Sequence, residues 1–195
     1  TAIGPRCLAA LLDVNGRSNW GRSLCNSSSD TIALIGLALT QTPGVAAAPG
    51  PVVFGPLAGA GGHMQFAQMG KGRQGDLADL FRSTFAASEG EQEGERIGQL
   101  ASGLSQAIDG DDVLCFGAFE GQALAGAIFF TRLRFSDDVL VYMLAAVAVC
   151  AAHQAVGVGS ALIRFGIDAL TRKGAAVAVT YGDPAFYGRL GFEPL

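Results

Sequence analysis

The sequence is poor in the residues that build metal sites and disulfide frameworks. Its four cysteines are far apart and form no C-x-x-C pair, and its two histidines stand at no spacing typical of metal ligands. This pattern predicts no structural zinc and free thiols, as in a reducing cytoplasm. The residues concerned are Cys7, Cys25, Cys115, Cys150, His63 and His153.

Charge and long apolar runs are also scarce. Charged residues make up 15% of the chain, the net charge is −4, and no basic run occurs, so nucleic-acid and membrane partners are not expected. No apolar run reaches the roughly 18 residues that a membrane-spanning helix needs. Half of the 195 residues are hydrophobic, which predicts a folded domain with a real core.

Residues 1–63 differ in composition from the rest. They hold five of the seven prolines and ten of the 28 glycines. The sustained apolar run Ile32–Leu39 is as long as the core of a signal peptide but has no basic flank. Thr42–Gly62 shows neither helical nor strand periodicity. We therefore predict a linker-like, low-complexity segment of uncertain origin over 1–63, which need not be native coding sequence, followed by a domain over 64–195.

The first half of that domain alternates strands and helices. Met64–Met69 predicts a strand, and Asp76 is suited to be the N-cap of a first helix. The acidic run Glu89–Glu95 precedes a second helix and is more typical of a solvated helix start than of a cation site. Val113–Phe119 and Ala123–Leu133 flank a tight turn and predict a hairpin.

The centre of the domain is a strand, a glycine turn and a helix in succession. Val139–Val149 carries no charge and predicts a strand buried on both faces. The turn Gln154–Gly159 follows, and Ser160–Lys173 has the spacing of an amphipathic helix. Unpaired N–H groups and the helix dipole meet at such a turn, so the pattern indicates an anion site, although glycine turns without a ligand are common.

A second buried strand and a short helix close the chain. Ala175–Tyr181 predicts the strand, and Asp183 followed by Pro184 predicts the start of a helix that Gly191 ends. The chain thus carries Q-x-x-G-x-G after one strand and F-Y-x-x-x-G-F about 30 residues later.

These two motifs in this order resemble the GNAT N-acetyltransferase superfamily, over about residues 64–195. The resemblance is closest to small bacterial members with a G-D-P-x-F-Y-G-R-x-G-F signature. It implies an α/β (α+β) fold with a mixed, mostly antiparallel central sheet and flanking helices. Family members continue with further strands after the position of Leu195, so the C-terminal strands look truncated. We expect a truncated product, or a domain whose sheet edge is covered by another chain, as in a homodimer.

The resemblance implies acetyl-CoA as co-substrate, without a metal. It places the pyrophosphate on the turn N–H groups and the pantetheine on the Val139–Val149 strand, with the Val149 N–H facing the thioester oxygen. Asp183 stands near the pantetheine in this reading, or is a plain N-cap. The implied cofactor-binding residues are Val147, Ala148, Val149, Gln154, Ala155, Val156, Gly157, Val158, Gly159, Ser160 and Asp183.

Tyr187 matches the family tyrosine that protonates the departing thiolate, and its alternative role is packing against Phe186. The turn departs from the family at Ala155 and Val156, where a glycine and a basic residue are frequent, so the resemblance implies a CoA affinity reduced by one lost cationic contact. A general base is not identified. Tyr142 and the two aspartates at 137–138 are candidates by position, and a base acting through water is equally compatible.

The resemblance implies an N-acetyltransferase that moves an acetyl group to an amine of a small molecule or a protein by direct attack. The alternative is a catalytically silent acyl-CoA-binding or regulatory module. Dinucleotide binding is disfavoured, because G-x-G-x-x-G would need glycine at Leu162 and an acidic residue where Tyr181 closes the next strand. The expected location is the cytoplasm.

Overall fold

One sheet contains every strand in the part of the chain that the structure describes. The computed structural model describes residues 33–38, 52–53, 63–135 and 139–194. The strands are β1 (Ala33–Ala38), β2 (Val52–Val53), β3 (Met64–Met69), β4 (Val113–Glu120), β5 (Ala123–Leu133), β6 (Val141–Val149), β7 (Val177–Gly182) and β8 (Glu193–Pro194). The helices are α1 (Gln74–Glu89), α2 (Glu91–Ala107), α3 (Val158–Lys173) and α4 (Pro184–Gly188), with a 3-10 turn at Ala151–His153.

The sheet is mixed and mostly antiparallel. Its strand order is β2-β3-β4-β5-β6-β7-β1-β8, and β6 with β7 is the parallel pair among the described strands. The crossover between those two strands is α3, as expected for parallel neighbours. The predicted fold class is therefore confirmed.

Two helical layers cover the two faces of the sheet. Helices α1 and α2 bury Phe81, Leu77 and their neighbours against Phe129 on one face. Helix α3 buries Phe165 against Phe116 on the other. Both faces of β5 and β6 are covered, which explains why these strands read as continuous apolar runs.

The edge of β7 is paired by a strand from the N-terminal segment. Strand β1 runs antiparallel to β7 from Ala33↔Gly182 to Ala38↔Val177, and its other side pairs with β8. Residues 33–38 of the predicted apolar run therefore lie in the sheet, and the β7 edge that we expected another chain to cover is occupied by the same chain. The domain boundary at 63/64 stays a prediction.

Three predicted element starts are displaced. Helix α1 begins at Gln74 with Arg73 at the N-cap, so Asp76 is not the cap. Its carboxylate lies in the first turn and binds the Arg73 guanidinium at 2.7 Å, which stabilises the helix start by charge rather than by capping. Strand β6 begins at Val141, and helix α3 begins at Val158, immediately after a left-handed glycine.

Candidate active site

The site begins where two parallel strands separate. β6 and β7 are paired only from Val141↔Val177 to Met143↔Val179. On the other side of β6 the register with β5 shifts, because Phe129 faces Ala146 while Phe130 faces Leu144. Ala145 is thus the extra residue of a β-bulge, which bends its strand. Beyond Met143 the two strands diverge and leave a cleft between them.

The cleft has a volume of about 900 Å³, within the range that holds a cofactor-sized ligand. Helix α1, the divergent parts of β6 and β7, the turn before α3, and α4 all contribute to its wall. Among its lining residues are Thr84, Phe85, Ser88, Leu144, Ala145, Ala146, Val147, Val149, His153, Gln154, Ala155, Gly157, Gly159, Ser160, Arg164, Thr180, Tyr181, Asp183, Phe186, Tyr187, Arg189 and Leu190.

Alternate peptide groups of β6 face the cleft. The Cys150 N–H donates to the Ala125 carbonyl of β5 at 2.9 Å, so Cys150 and Ala148 direct their peptide groups toward β5. Because direction alternates along a strand, Val147 and Val149 direct theirs toward the cleft. Of the three predicted pantetheine contacts, Val147 and Val149 line the cleft. Ala148 does not, and its side chain is buried in the core under α1 and α2.

The glycine turn (Gln154–Ser160) leads from β6 into α3. Gly157 has φ of +90°, a left-handed conformation suited to glycine, and it is the N-cap of α3. The Ala161 N–H makes the first helical bond, to the Gly157 carbonyl at 3.0 Å. The N–H groups of the three residues before Ala161 therefore have no acceptor within the helix and remain available to an anion.

The two glycines of this turn leave space on the cleft side. A Cβ built on Gly157 would meet no atom within 4 Å, and one on Gly159 would approach only the Val149 side chain, at 3.5 Å. This open space beside unpaired N–H groups fits a phosphate group. The predicted residues Val156 and Val158 do not line the cleft, since Val158 is buried in the core and Val156 packs against it. Their contribution is limited to the backbone.

Two guanidinium groups stand beside the turn. Arg164 lies one helical turn after Ser160, and its Nη2 donates to the Arg189 carbonyl at 3.2 Å. The Arg189 guanidinium in turn lies over the Phe186 ring at 5.7 Å. Both arginines line the cleft. The sequence analysis did not identify Arg164 as a site residue, although its distance of one turn from the glycine turn was a usable signal.

Tyr187 is held rigidly in the cleft wall. Its ring packs edge-on against Phe186 at 5.0 Å and against Phe192 at 5.5 Å, and it is 1% exposed. The short helix that carries it starts at Asp183, whose Oδ1 accepts the Ala185 N–H at 2.8 Å. Asp183 is therefore an N-cap, as the sequence predicted, and it also lines the cleft.

The Tyr187 phenol has a hydroxyl partner that the sequence did not reveal. Thr180 on β7 is 1% exposed, and its Oγ1 lies 3.4 Å from the carbonyl oxygens of Leu144 and Tyr181. Burial raises the pKa of Tyr187 to about 12, against a smaller opposing effect of the hydrogen bond with Thr180. The phenol is thus protonated throughout the neutral range, which is the form that a proton donor requires.

The opposite end of the cleft is formed by α1. Thr84, Phe85 and Ser88 line it. The Thr84 hydroxyl is buried and has no hydrogen-bond partner within the described residues. Glu89, which follows Ser88 but does not line the cleft, has two carboxylate oxygens that are likewise shielded without a partner among the described residues. Burial first, and the Glu93 charge second, raise the pKa of Glu89. Buried polar atoms without partners indicate a place where a bound molecule supplies them.

None of the predicted candidates for a general base is found in the cleft wall among the described residues. Tyr142 is buried, and its hydroxyl donates to the Asp111 carbonyl at 2.7 Å. It is absent from the cleft wall, so the structure does not bring it to the site. The two aspartates at 137–138 lie outside the described residues.

The residues that the structure describes contain no group of three or more His, Cys, Asp or Glu side chains arranged to hold a metal ion. None of their helices combines the length and the apolar character needed to cross a membrane.

Comparison with known proteins gives a consistent family. The model of the Acetyltransferase (GNAT) family matches residues 76–192. Residues of this chain are 42% identical over 79 residues to the Escherichia coli K12 protein YjhQ, named as an uncharacterized N-acetyltransferase, covering 39% of this chain and 43% of YjhQ. YhbS of the same strain, also named as an uncharacterized N-acetyltransferase, is 36% identical over 75 residues, covering 38% and 44%. The matches span less than half the length of either relative.

Solved structures resemble the fold. A GNAT-family acetyltransferase from Brucella melitensis, solved with acetyl-CoA, has a TM-score of 0.58 and 27% identity, over 67% of this chain and 83% of that one. An aminoglycoside acetyltransferase from a soil metagenome, HMB0005, has a TM-score of 0.54 and 18% identity, over 66% and 90%. At that identity the second similarity concerns the fold alone.

Proposed function

Because the chain belongs to the GNAT acetyltransferase family, we propose that it transfers the acetyl group of acetyl-CoA to an amine by direct attack. The observation that carries the proposal is the divergence of β6 and β7 beyond Met143. It creates one cleft lined by an anion site, by strand peptides of β6 and by a buried, protonated phenol. These three features match the pyrophosphate, the pantetheine amides and the thioester of one molecule.

The donor would be held mainly by backbone groups. The unpaired N–H groups of the glycine turn take the pyrophosphate, and Arg164 and Arg189 add positive charge at the rim. These arginines compensate for the absence of the basic side chain that family members frequently carry where this chain has Val156. The Val147 peptide groups and the Val149 N–H pair with the pantetheine amides, in the place of a neighbouring strand, while the Val149 carbonyl already accepts the Gln154 side-chain amide at 2.8 Å.

The reacting end of the donor belongs near the bulge. Thr180 contacts Tyr187 and donates to the Leu144 carbonyl, so a thiolate that receives the phenol proton lies toward the Leu144 end of this part of β6 rather than toward Val149. At about 3.3 Å per residue, Val147 is roughly 10 Å from Leu144 along the strand and Val149 roughly 16 Å. The Val147 N–H is therefore better placed than the Val149 N–H to stabilise the developing oxyanion.

Tyr187 serves as the proton donor. The C–N bond to the amine forms as the C–S bond breaks, the amine proton passes to water or a base, and the thiolate takes the phenol proton. With a pKa of about 12 for the Tyr187 phenol and a reference pKa of about 8.5 for a thiol, this proton transfer is uphill by about 5 kcal/mol. A thiolate formed in the same dry cleft is also desolvated, which raises its own pKa and reduces that difference. The acetylated amine, CoA and a reprotonated phenol complete the balance.

The acceptor end is assigned to α1. The partnerless Thr84 hydroxyl and the cleft-lining Ser88 offer hydrogen bonds to a polar acceptor. These features suit a small polyamine or amino sugar as well as the amino group of a peptide. Aminoglycoside acetyltransferases share the fold, which adds amino sugars to the classes worth testing.

The test is acetyl transfer to a panel of amines. The full chain is incubated with acetyl-CoA and, separately, aminoglycosides, polyamines, amino acid amides and short peptides. CoA release and the mass of each acceptor are then followed. We expect one class to be acetylated in step with CoA release. Tight acetyl-CoA binding with no acetylated product from any class would favour the silent acyl-CoA-binding module instead.

A further inference from the structure

Beside the cleft, Cys150, His153 and Glu120 form a chain of side chains at hydrogen-bond distance. Cys150 Sγ lies 3.1 Å from His153 Nδ1, and His153 Nε2 lies 3.2 Å from Glu120 Oε2. With the Nε2–H donated to the carboxylate, Nδ1 has a free lone pair that can accept the thiol proton. This is the arrangement of nucleophile, base and orienting group found in activated-thiol sites.

The fold brings these three residues together from two strands. Cys150 is the first residue after β6, and the 3-10 turn folds His153 back so that its N–H donates to the Cys150 carbonyl at 2.9 Å. Glu120 is the last residue of β4, and the Cys150 N–H is bonded to Ala125 of the intervening β5. The partners of the histidine are therefore fixed by the sheet rather than by a loose loop. We call these three residues the thiol relay.

The relay is not arranged as a metal site. Thiol and carboxylate bind opposite nitrogens of one imidazole ring, so their donor atoms do not converge on a common point. A useful contrast is Cys115, a fully buried thiol whose pKa is raised by burial and whose polar contact is Met69 Sδ at 3.9 Å. Such a thiol is inert, whereas Cys150 is half-buried and next to a base.

We propose that Cys150 is a reactive thiol that exchanges with small disulfides and thereby controls access to the cleft. The Cys150 proton passes to His153 Nδ1, and the sulfur attacks one sulfur of the incoming disulfide. The disulfide bond breaks, and the departing thiolate takes up a proton from the imidazolium or from water. Cys150 is oxidised to a mixed disulfide, and half of the incoming molecule is reduced to a thiol.

The consequence for the cleft follows from the position of His153. This residue is part of the cleft wall and directly precedes the glycine turn. A mixed disulfide on Cys150 needs the space that the His153 ring fills at 3.1 Å. The adduct therefore displaces His153 and disturbs the turn, which would close the anion end of the cleft until a reductant removes the adduct.

The reactivity is tested with oxidised glutathione on the full chain, using peptide mass spectrometry to follow each cysteine separately. We expect Cys150 to be modified far faster than Cys115. His153→Gln should slow modification of Cys150 at least about tenfold, and Glu120→Gln by a smaller factor. Glu91→Gln, an exposed change on α2, is the matched control and should leave the rate unchanged. Modification rates are compared only among variants whose melting temperature equals that of the wild type.

Three results would overturn the proposal. One is an unmodified Cys150 in the wild type, which needs no variant to observe. The second is an unchanged Cys150 rate in a folded His153→Gln protein. The third is the same fall in rate for Glu91→Gln as for Glu120→Gln. None of these depends on acetyl transfer.

A protection experiment tests the link to the cleft, and this part rests on the proposed function. Saturating acetyl-CoA should slow Cys150 modification, and the glutathionylated protein should lose acetyl-CoA affinity until dithiothreitol restores it. Modification at an unaltered rate in the presence of bound acetyl-CoA would refute control of the cleft by this thiol. If acetyl-CoA does not bind at all, the proposed function fails while the exchange rates still decide the reactivity of Cys150.

Discussion

Replacement of Tyr187 by phenylalanine removes one hydroxyl from the cleft and keeps the ring. The ring contacts with Phe186 and Phe192 at 5.0 and 5.5 Å are unaffected, so the packing is preserved. Thr180 loses one hydrogen-bond partner but still has two carbonyl oxygens at 3.4 Å. We therefore expect the free energy of unfolding to change by only about 1 kcal/mol.

Turnover should respond far more strongly than stability. Loss of a positioned proton donor lowers the turnover number by roughly 10²–10⁴-fold, or about 3–5 kcal/mol in the barrier. Acetyl-CoA affinity should remain close to that of the wild type, because backbone groups and arginines hold the donor. The turnover number is measured from CoA release with the acceptor found in the amine panel, and affinity by calorimetric titration.

A second buried tyrosine provides a matched control. Tyr142→Phe makes the same chemical change at a hydroxyl that donates to the Asp111 carbonyl away from the cleft. It should cost a similar amount of stability and leave turnover intact. Since burial raises the pKa of Tyr187 to about 12, the wild type should keep its proton donor up to about pH 11, and the deficit of Tyr187→Phe should persist across that range. Full turnover of Tyr187→Phe at every pH would make it a packing residue.

Three further predictions concern stability. The folded-state pKa of Tyr187, about 12, lies above the ordinary phenol value of about 10, so the contribution of this phenol to the free energy of unfolding is present below pH 10 and is lost as pH rises toward 12. In alkaline denaturation the wild type should therefore lose about 3 kcal/mol more than Tyr187→Phe over that window. Gly166→Ala places a Cβ 2.6 Å from a core side chain of β5 and should lower the free energy of unfolding in urea by about 1–3 kcal/mol. The control Gly103→Ala, where the added Cβ has no atom within 4 Å, should raise it by up to about 1 kcal/mol, and equal effects of the two changes would contradict the packing of α3. A chain starting at Met64 lacks β1 and should melt more than about 5 °C below the full chain, as should Gly36→Pro within the β1 ladder; an unchanged melting temperature in both would place this segment outside the folded domain.

The local parts of the fold were readable from the sequence because their signals are local. The hairpin of β4 and β5, the strand–turn–helix around Gly157, and the cap at Asp183 each depend on neighbouring residues. The sheet type came from the family resemblance, and it too is confirmed. The start of α1 was misplaced because Asp76 is as favourable in a first turn as at an N-cap.

What the sequence could not give depends on pairing between distant segments. The bulge at Ala145 exists only relative to the register of β5. Thr180 meets the Leu144 carbonyl across 36 residues, and Glu120 meets His153 across 33 residues. The placement of β1 beside β7 joins segments about 140 residues apart, and no local periodicity in a Pro- and Gly-rich stretch indicates it.

The proposal that the glycine turn binds the pyrophosphate of acetyl-CoA is tested by calorimetric titration of acetyl-CoA into the wild type and into Gly159→Val. At Gly159 the backbone is helical, and the nearest atom to an added Cβ is a Val149 methyl at 3.5 Å, so the variant should fold. Its side chain would occupy the space that a phosphate needs beside the turn N–H groups. Gly103→Val on α2 is the control for valine in a helix. We expect acetyl-CoA to bind to the wild type and to Gly103→Val, and to bind at least about tenfold more weakly to folded Gly159→Val. Equal affinity in all three proteins, or no binding by the wild type, would contradict the proposal.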